Sequence, residues 1–131
     1  MTDENFELGM ALRRKMLGPE GAEKKLEQAS DFIMPLEQFV TRQCFGEAWH
    51  RPILDLKTRS MLTIAMLTAM GQAPQVKHHV RGALANGVSV DEIREILMHS
   101  VIYCGLPRAV NAFLAAEEVL KESPGENNND R

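Results

Sequence analysis

His79 and Arg81 stand two residues apart in the stretch Gly71-Gln-Ala-Pro-Gln-Val-Lys-His-His-Val-Arg-Gly-Ala-Leu-Ala-Asn-Gly87, directly after a nearly all-apolar segment. An imidazole exchanges protons near neutral pH, and a guanidinium forks onto a carboxylate. Beside a hydrophobic wall, the two suit chemistry on a small carboxylate. A histidine that merely hydrogen-bonds at a helix surface fits the same spacing, so the rest of the chain has to decide. A metal site built from His78, His79 and His99 is not expected. Adjacent helical residues do not share a face, and there is no His-x-x-x-His pair.

The elements that must position these groups all read as helices. The His79 helix runs from Pro74 near its start to Gly87 past its end. Before it, Asp55 caps a core helix over Leu56–Met70 that Gly71 closes. Upstream, Asp3–Leu17 carries Phe6, Met10, Leu12 and Leu17 among charges and ends at Gly18-Pro19. A weaker amphipathic segment follows from Glu20 to about Phe32. A third helix spans Leu36–Glu47, with Leu36, Phe39, Val40 and Cys44 on one side. Trp49-His50-Arg51-Pro52 breaks the pattern, because a residue before proline is pushed out of the helical region. Downstream, Ser89-Val-Asp-Glu92 is a capping box for a helix carrying Ile93, Ile96, Leu97, Val101 and Ile102 and stopping at Gly105. Pro107 opens a last helix that reaches about Lys121. The expected architecture is all-α, about six to seven helices in one domain over residues 1–122. A disordered polar tail is expected over 123–131.

Composition narrows the class. In 131 residues, hydrophobic residues make up 44% and charged residues 25%, which fits a folded domain. Aromatics are 5% while Met numbers 8, pointing to an aliphatic core with flexible fillers. A net charge of -3 without a basic stripe argues against a nucleic-acid partner. The acidic N-terminus lacks the order of a signal peptide, and the longest apolar run, Met61–Met70, is too short to span a bilayer. Cys44 and Cys104 are far apart and read as free thiols. A cytoplasmic protein with no membrane association is expected. The helix containing Met61–Met70 is apolar on nearly every face, so a homo-oligomer that shares its burial is expected too.

Several short markers in order carry a resemblance to a known family. They are Gly9-Met-Ala-Leu-Arg-Arg-Lys-Met-Leu-Gly18, Gly46-Glu-Ala-Trp-His-Arg-Pro52 and Lys57-Thr-Arg-Ser-Met-Leu-Thr63. His79-Val-Arg81 with Asn86-Gly87, and Tyr103-Cys-Gly-Leu-Pro107 with Asn111, complete the set. From about Phe6 to Glu122 the chain resembles the gamma-carboxymuconolactone decarboxylases, in the superfamily that also contains the alkylhydroperoxidase D proteins. The redox branch has a Cys-x-x-Cys at the start of the histidine helix. Here those positions are Gln72 and Gln75, so a thiol peroxidase is disfavoured. The sequence departs from the decarboxylase pattern at Gln43-Cys44-Phe45, at His50 and at Arg108.

The resemblance implies an all-α homo-oligomer, hexameric or trimeric. It also implies loss of carbon dioxide from a small carboxylated lactone, giving 3-oxoadipate enol-lactone in aromatic-acid catabolism. The lactone carbonyl takes up the electron pair, so no cofactor and no metal are expected. His79 is then the proton donor or enolate stabiliser, and Glu47 a general acid or the group that orients His79. Arg51, Arg81 and Arg59 are candidate carboxylate clamps, although Arg59 or Arg81 could instead pair with an acidic residue across a subunit interface. Trp49 would wall the pocket and Tyr103 could add a hydroxyl, though core packing accounts for both as well. The changes at Gln43, Phe45, His50 and Arg108 leave a second possibility open: an oligomeric scaffold that binds a small acidic ligand without decarboxylating it.

Overall fold

The computed structural model describes residues 3–122; the tail expected over 123–131 lies outside them. Among the described residues all regular structure is helical. Seven α-helices form: α1 (Glu4–Gly21), α2 (Glu23–Glu27), α3 (Met34–Phe39), α4 (Leu56–Ala69), α5 (Ala73–Ala85), α6 (Val90–Cys104) and α7 (Leu106–Leu120). A π-helical segment, Val40–Phe45, continues α3, and a 3-10 turn, Ala48–His50, follows it. None of the described helices is long and apolar enough to cross a membrane.

The Asp3 carboxylate accepts the Phe6 N–H at 3.1 Å and starts α1. The expected stop at Gly18-Pro19 is a kink with one more turn beyond it. Gly18 has φ 71° and ψ -177°, a conformation essentially reserved for glycine. The amphipathic helix expected over Glu20–Phe32 shrinks to the five residues of α2. None of those five is buried, and Phe32 is 92% exposed, so no packed face supports a longer helix.

The third helix starts at Met34 and changes character at Val40. Leu36 and Phe39, expected on its inner side, are exposed, whereas Thr41 and Phe45 are buried. The π segment's i→i+5 bonding widens the turn and rotates the inward face away from a plain α register. Two glycines permit this packing. A Cβ on Gly9 would lie 1.8 Å from the Thr41 carbonyl oxygen, and one on Gly46 would lie 2.0 Å from that of Asn5. The α1 helix and the π segment therefore meet backbone to backbone.

The remaining helices follow the sequence signals closely. Asp55 caps α4 through the Thr58 N–H at 2.8 Å. Both capping-box bonds of α6 are present, Glu92 N–H to Ser89 Oγ at 3.0 Å and Ser89 N–H to Glu92 Oε1 at 2.9 Å. Gly105, with φ 88°, turns α6 directly into α7. The α4–α7 helices enclose the larger core around Ile64, Val76, Val80, Ile93, Leu97 and Val119. The Asn86 amide ties the end of α5 to Ser60 on α4 at 3.0 Å. A second cluster, Leu12, Met16, Phe45 and Trp49, lies under α1 and the π segment.

The α5 helix serves both clusters. Val76, Val80 and Ala83 enter the larger core. On another face, Gly82 admits the Met16 side chain, whose Cε would lie 2.6 Å from an added Cβ, and His79 meets Trp49. The site described next is on that second face.

Candidate active site

His79 sits at the end of a stack of rings. Its imidazole lies against the Trp49 indole, centroids 6.0 Å apart at 17°, and Trp49 lies against Phe45 at 5.7 Å and 22°. On the far side the Arg13 guanidinium sits 5.7 Å from the Phe45 ring centroid. Trp49 and Phe45 are buried, while His79 is half-buried. Burial pushes the Cys44 thiol's pKa up, with the neighbouring Trp49 side chain partly opposing the shift.

Two facts define the electrostatics of the imidazole. Burial, with a smaller contribution from His78, pushes the His79 pKa down to about 4. Its Nδ1 is sealed from solvent and has no hydrogen-bond partner among the described residues. The ring is thus neutral at pH 7, and its accessible part lies away from Nδ1. Orphaned buried N–H donors are rarer than under-satisfied acceptors. The neutral tautomer best matched to this environment carries its proton on Nε2. What results is a neutral hydrogen-bond donor on an aromatic shelf, not an imidazolium.

Arg81 does not join His79, which corrects the expected pairing. Two residues along a helix point to nearly opposite sides, and Arg81 makes a two-pronged ion pair with Glu122 at the end of α7, Nε to Oε1 at 2.8 Å. Its Nη1 also approaches His78 Nδ1 at 3.5 Å. An acidic partner for Arg81 was expected across an interface; the one the structure shows, Glu122, belongs to the same chain.

Arg59 is held by backbone. Its Nε donates to the Leu54 carbonyl at 3.1 Å and its Nη2 to the Arg51 carbonyl at 3.0 Å, bracing the loop that leads into α4. Arg51 stands exposed at the start of that loop, two residues after Trp49. Glu47 is exposed, and its carbonyl accepts the His50 N–H at 3.0 Å. Among the described residues it makes no hydrogen bond to His79, whose ring contact is with Trp49. Tyr103 is 78% exposed and contacts His99, centroids 5.0 Å apart, so it is not brought to the stack. Arg108 leans over the α4–α5 turn, its Nη1 only 2.5 Å from where a Cβ of Gly71 would lie. Gln72 and Gln75, at the start of α5, are exposed.

Arg13 lies beside the stack without being among the expected site residues. It is 5% exposed, with Nη1 bonded to Thr41 Oγ1 at 2.7 Å, Nη2 to Glu37 at 3.1 Å and Nε to the Gly21 carbonyl at 3.1 Å. A signal was available: Arg13 falls in the apolar register of Phe6, Met10 and Leu17, where a charge is out of place.

An open groove of about 740 Å³ lies along α6, but Asp91, Glu92 and Glu95 line it and no ring of the stack does. Its acidic rim repels an anionic ligand. Among the described residues no group of three or more His, Cys, Asp or Glu side chains is placed to hold a metal ion.

Comparison with known proteins bears out the family resemblance. The model of the Carboxymuconolactone decarboxylase family matches residues 35–118. The chain is 38% identical over 123 residues to the 4-carboxymuconolactone decarboxylase of Acinetobacter baylyi, covering 93% of this chain and 92% of that one. It is 34% identical over 117 residues to the nitrosuccinic acid decarboxylase of Metarhizium robertsii, covering 89% and 82%. A 15.0 kDa uncharacterized protein of Paracoccus denitrificans is 38% identical over 84 residues, 63% of each chain.

Proposed function

This chain belongs to the carboxymuconolactone decarboxylase family, with its alkylhydroperoxidase D-like all-α fold, and from that premise we propose that it is a carboxy-lyase converting 4-carboxymuconolactone, or a close lactone analogue, to 3-oxoadipate enol-lactone without a cofactor. The substrates named for the two decarboxylase relatives share one chemical property. In carboxymuconolactone the electron pair left by carbon dioxide is conjugated to the lactone carbonyl. In nitrosuccinic acid the pair can pass into the nitro group. Either way the negative charge arrives on a substrate oxygen, so the protein has to stabilise an oxyanion and return a proton to carbon.

Support for this reading comes chiefly from His79, a neutral, half-buried imidazole held flat on Trp49 with Nδ1 closed off. The Nε2–H donates to the developing enolate oxygen. As the C–C bond breaks, carbon dioxide leaves, the pair enters the conjugated system, and the donor hydrogen bond strengthens as charge accumulates. A neutral donor suits this task because an imidazolium would also grip the ground-state carboxylates and gain less in the transition state. Arg51 receives a substrate carboxylate, with Arg59 bracing its loop. Glu47, on the exposed side of the Trp49 turn, is the candidate acid that protonates carbon.

Purified protein should consume carboxymuconolactone with no additive. His79→Ala should lower kcat roughly 100- to 1000-fold, the usual cost of losing one oxyanion donor. His79→Gln, whose amide N–H reaches close to the Nε2 position, should recover part of that loss. Full turnover by His79→Ala would defeat the assignment. Recovery by Gln would favour a hydrogen-bond donor over a proton donor, since an amide does not release a proton.

A further inference from the structure

We propose that Arg13 is a positioning residue for this reaction: through Phe45 it holds the Trp49 indole, and with it the His79 imidazole, in the working orientation. This rests on the role of His79 proposed above, but the link from Arg13 to the rings stands on its own geometry.

Arg13 has every property of a fixed point. It is buried, and its three bonds reach three separate places: the end of α1 at Gly21, the π segment at Thr41 and α3 at Glu37. Thr41 passes the constraint on, its hydroxyl accepting from Arg13 while donating to the Glu37 carbonyl at 2.8 Å. The face of the guanidinium is closed by Phe45, four residues beyond Thr41 in the π segment. From Phe45 the order Trp49, His79 follows with near-parallel planes. Each ring leans on the one before it, and the sequence of contacts ends at the group that meets substrate.

Packing alone does not call for a guanidinium here. A buried ion pair is a poor source of stability, because the cost of removing both charges from water offsets most of their attraction. An aliphatic side chain would fill the space under Phe45. It would not fix where the π segment sits relative to α1 and α3, since apolar contacts have no direction and hydrogen bonds do. Directional bonds at one end of the stack become angular precision at the other, where a small tilt of a donor costs turnover.

Trp49 is the single tryptophan of the chain, so its emission reports on the stack without interference. The test uses full-length Arg13→Met and the double variant Arg13→Met with Glu37→Gln, which leaves no unpaired charge should the single change fail to fold. We expect a red-shifted Trp49 emission, easier acrylamide quenching, and a fall in kcat of at least tenfold with KM within about threefold of the parent. Arg13→Lys, which keeps the charge but not the fork, should fall between. Unchanged emission in a folded variant overturns the proposal. Altered emission with full kcat also overturns it if His79→Ala is inactive, because His79 would then work without the stack. If His79→Ala is itself fully active, the catalytic role of His79 has failed instead. Emission then decides alone whether Arg13 holds the rings.

Discussion

At the scale of single residues, the neutrality of His79 sets the pH behaviour. Burial holds its pKa near 4, below the ordinary value of 6.5. The donor form therefore persists from neutral pH down to about pH 5, and the contribution to kcat proposed for it should be lost as pH falls through about 4. The same shift acts on stability. Between pH 6.5 and 4 the unfolded chain takes up a proton that the folded chain refuses. Stability present above 6.5 is thus lost as pH falls through this window, by at most about 1.4 kcal/mol per pH unit. Urea titrations at pH 7 and pH 5 should show this loss, and His79→Gln should remove His79's share of it; equal slopes in both proteins would contradict a buried neutral ring. Arg81 gives the opposite kind of prediction. Its pair with Glu122 is about one-third exposed on each side, so Arg81→Met should cost only ~1 kcal/mol or less in stability. It should leave kcat within about threefold, since the guanidinium turns away from the stack; a loss comparable to His79→Ala would return Arg81 to the site. At this scale the sequence showed which residue types were present but not where they pointed. His79 and Trp49 were recognisable from their motifs, yet their mutual stacking spans thirty positions. Arg13 was hidden because a charge in an apolar register reads as an irregularity until its partners, Glu37 and Thr41, are seen.

At the scale of elements, the decisive piece is the π segment, and its position depends on two glycines more than on its own residues. Gly9→Ala drives a methyl into the Thr41 carbonyl, a backbone atom with no rotamer to escape through. Overpacking ordinarily costs about 1–3 kcal/mol, and a backbone clash belongs at the upper end. Gly9→Ala should lower Tm by several degrees and expose Trp49 to quenching even in the fraction that remains folded. An unchanged Tm would mean that α1 and the π segment separate without cost. This also accounts for what the sequence could and could not reveal about the helices. The capped helices α4 and α6 were legible at their starts, because Asp55, and Ser89 with Glu92, act on neighbouring amides only. The junctions at Gly18, Gly71, Gly87 and Gly105 were legible for the same local reason, each glycine taking a positive φ. The short α2 and the switch from α3 to π were not. Their extents are set by which residues find a packing partner in α1, and no local propensity encodes that.

At the scale of the whole molecule, apolar surface remains to be accounted for. Leu62 and Met66 of α4 and Met70 at its C-terminal cap form a stripe at four-residue spacing and are 41–61% exposed. Met98 and Ile102 on α6, and Leu106, Val110 and Leu114 on α7, repeat the pattern. Single exposed hydrophobics need no explanation, but continuous stripes on three helices do. Only Ser60, Ile64 and Thr68 of α4 are buried within the chain. Polar Ser60 and Thr68 thus face the interior while Met66 and Met70 face out, an inversion that a lone subunit has no reason to keep. We expect these stripes to be covered by further copies of the chain. The unaltered protein should then sediment as a homo-oligomer at micromolar concentration, largely insensitive to salt because the contact is apolar and not ionic. Met66→Glu with Met70→Glu places two charges on the stripe and should shift the protein to smaller species while keeping its helical circular dichroism. A parent protein that sediments as a monomer would refute the expectation. A double variant that stays fully assembled would move the interface off α4 and onto the stripes of α6 and α7.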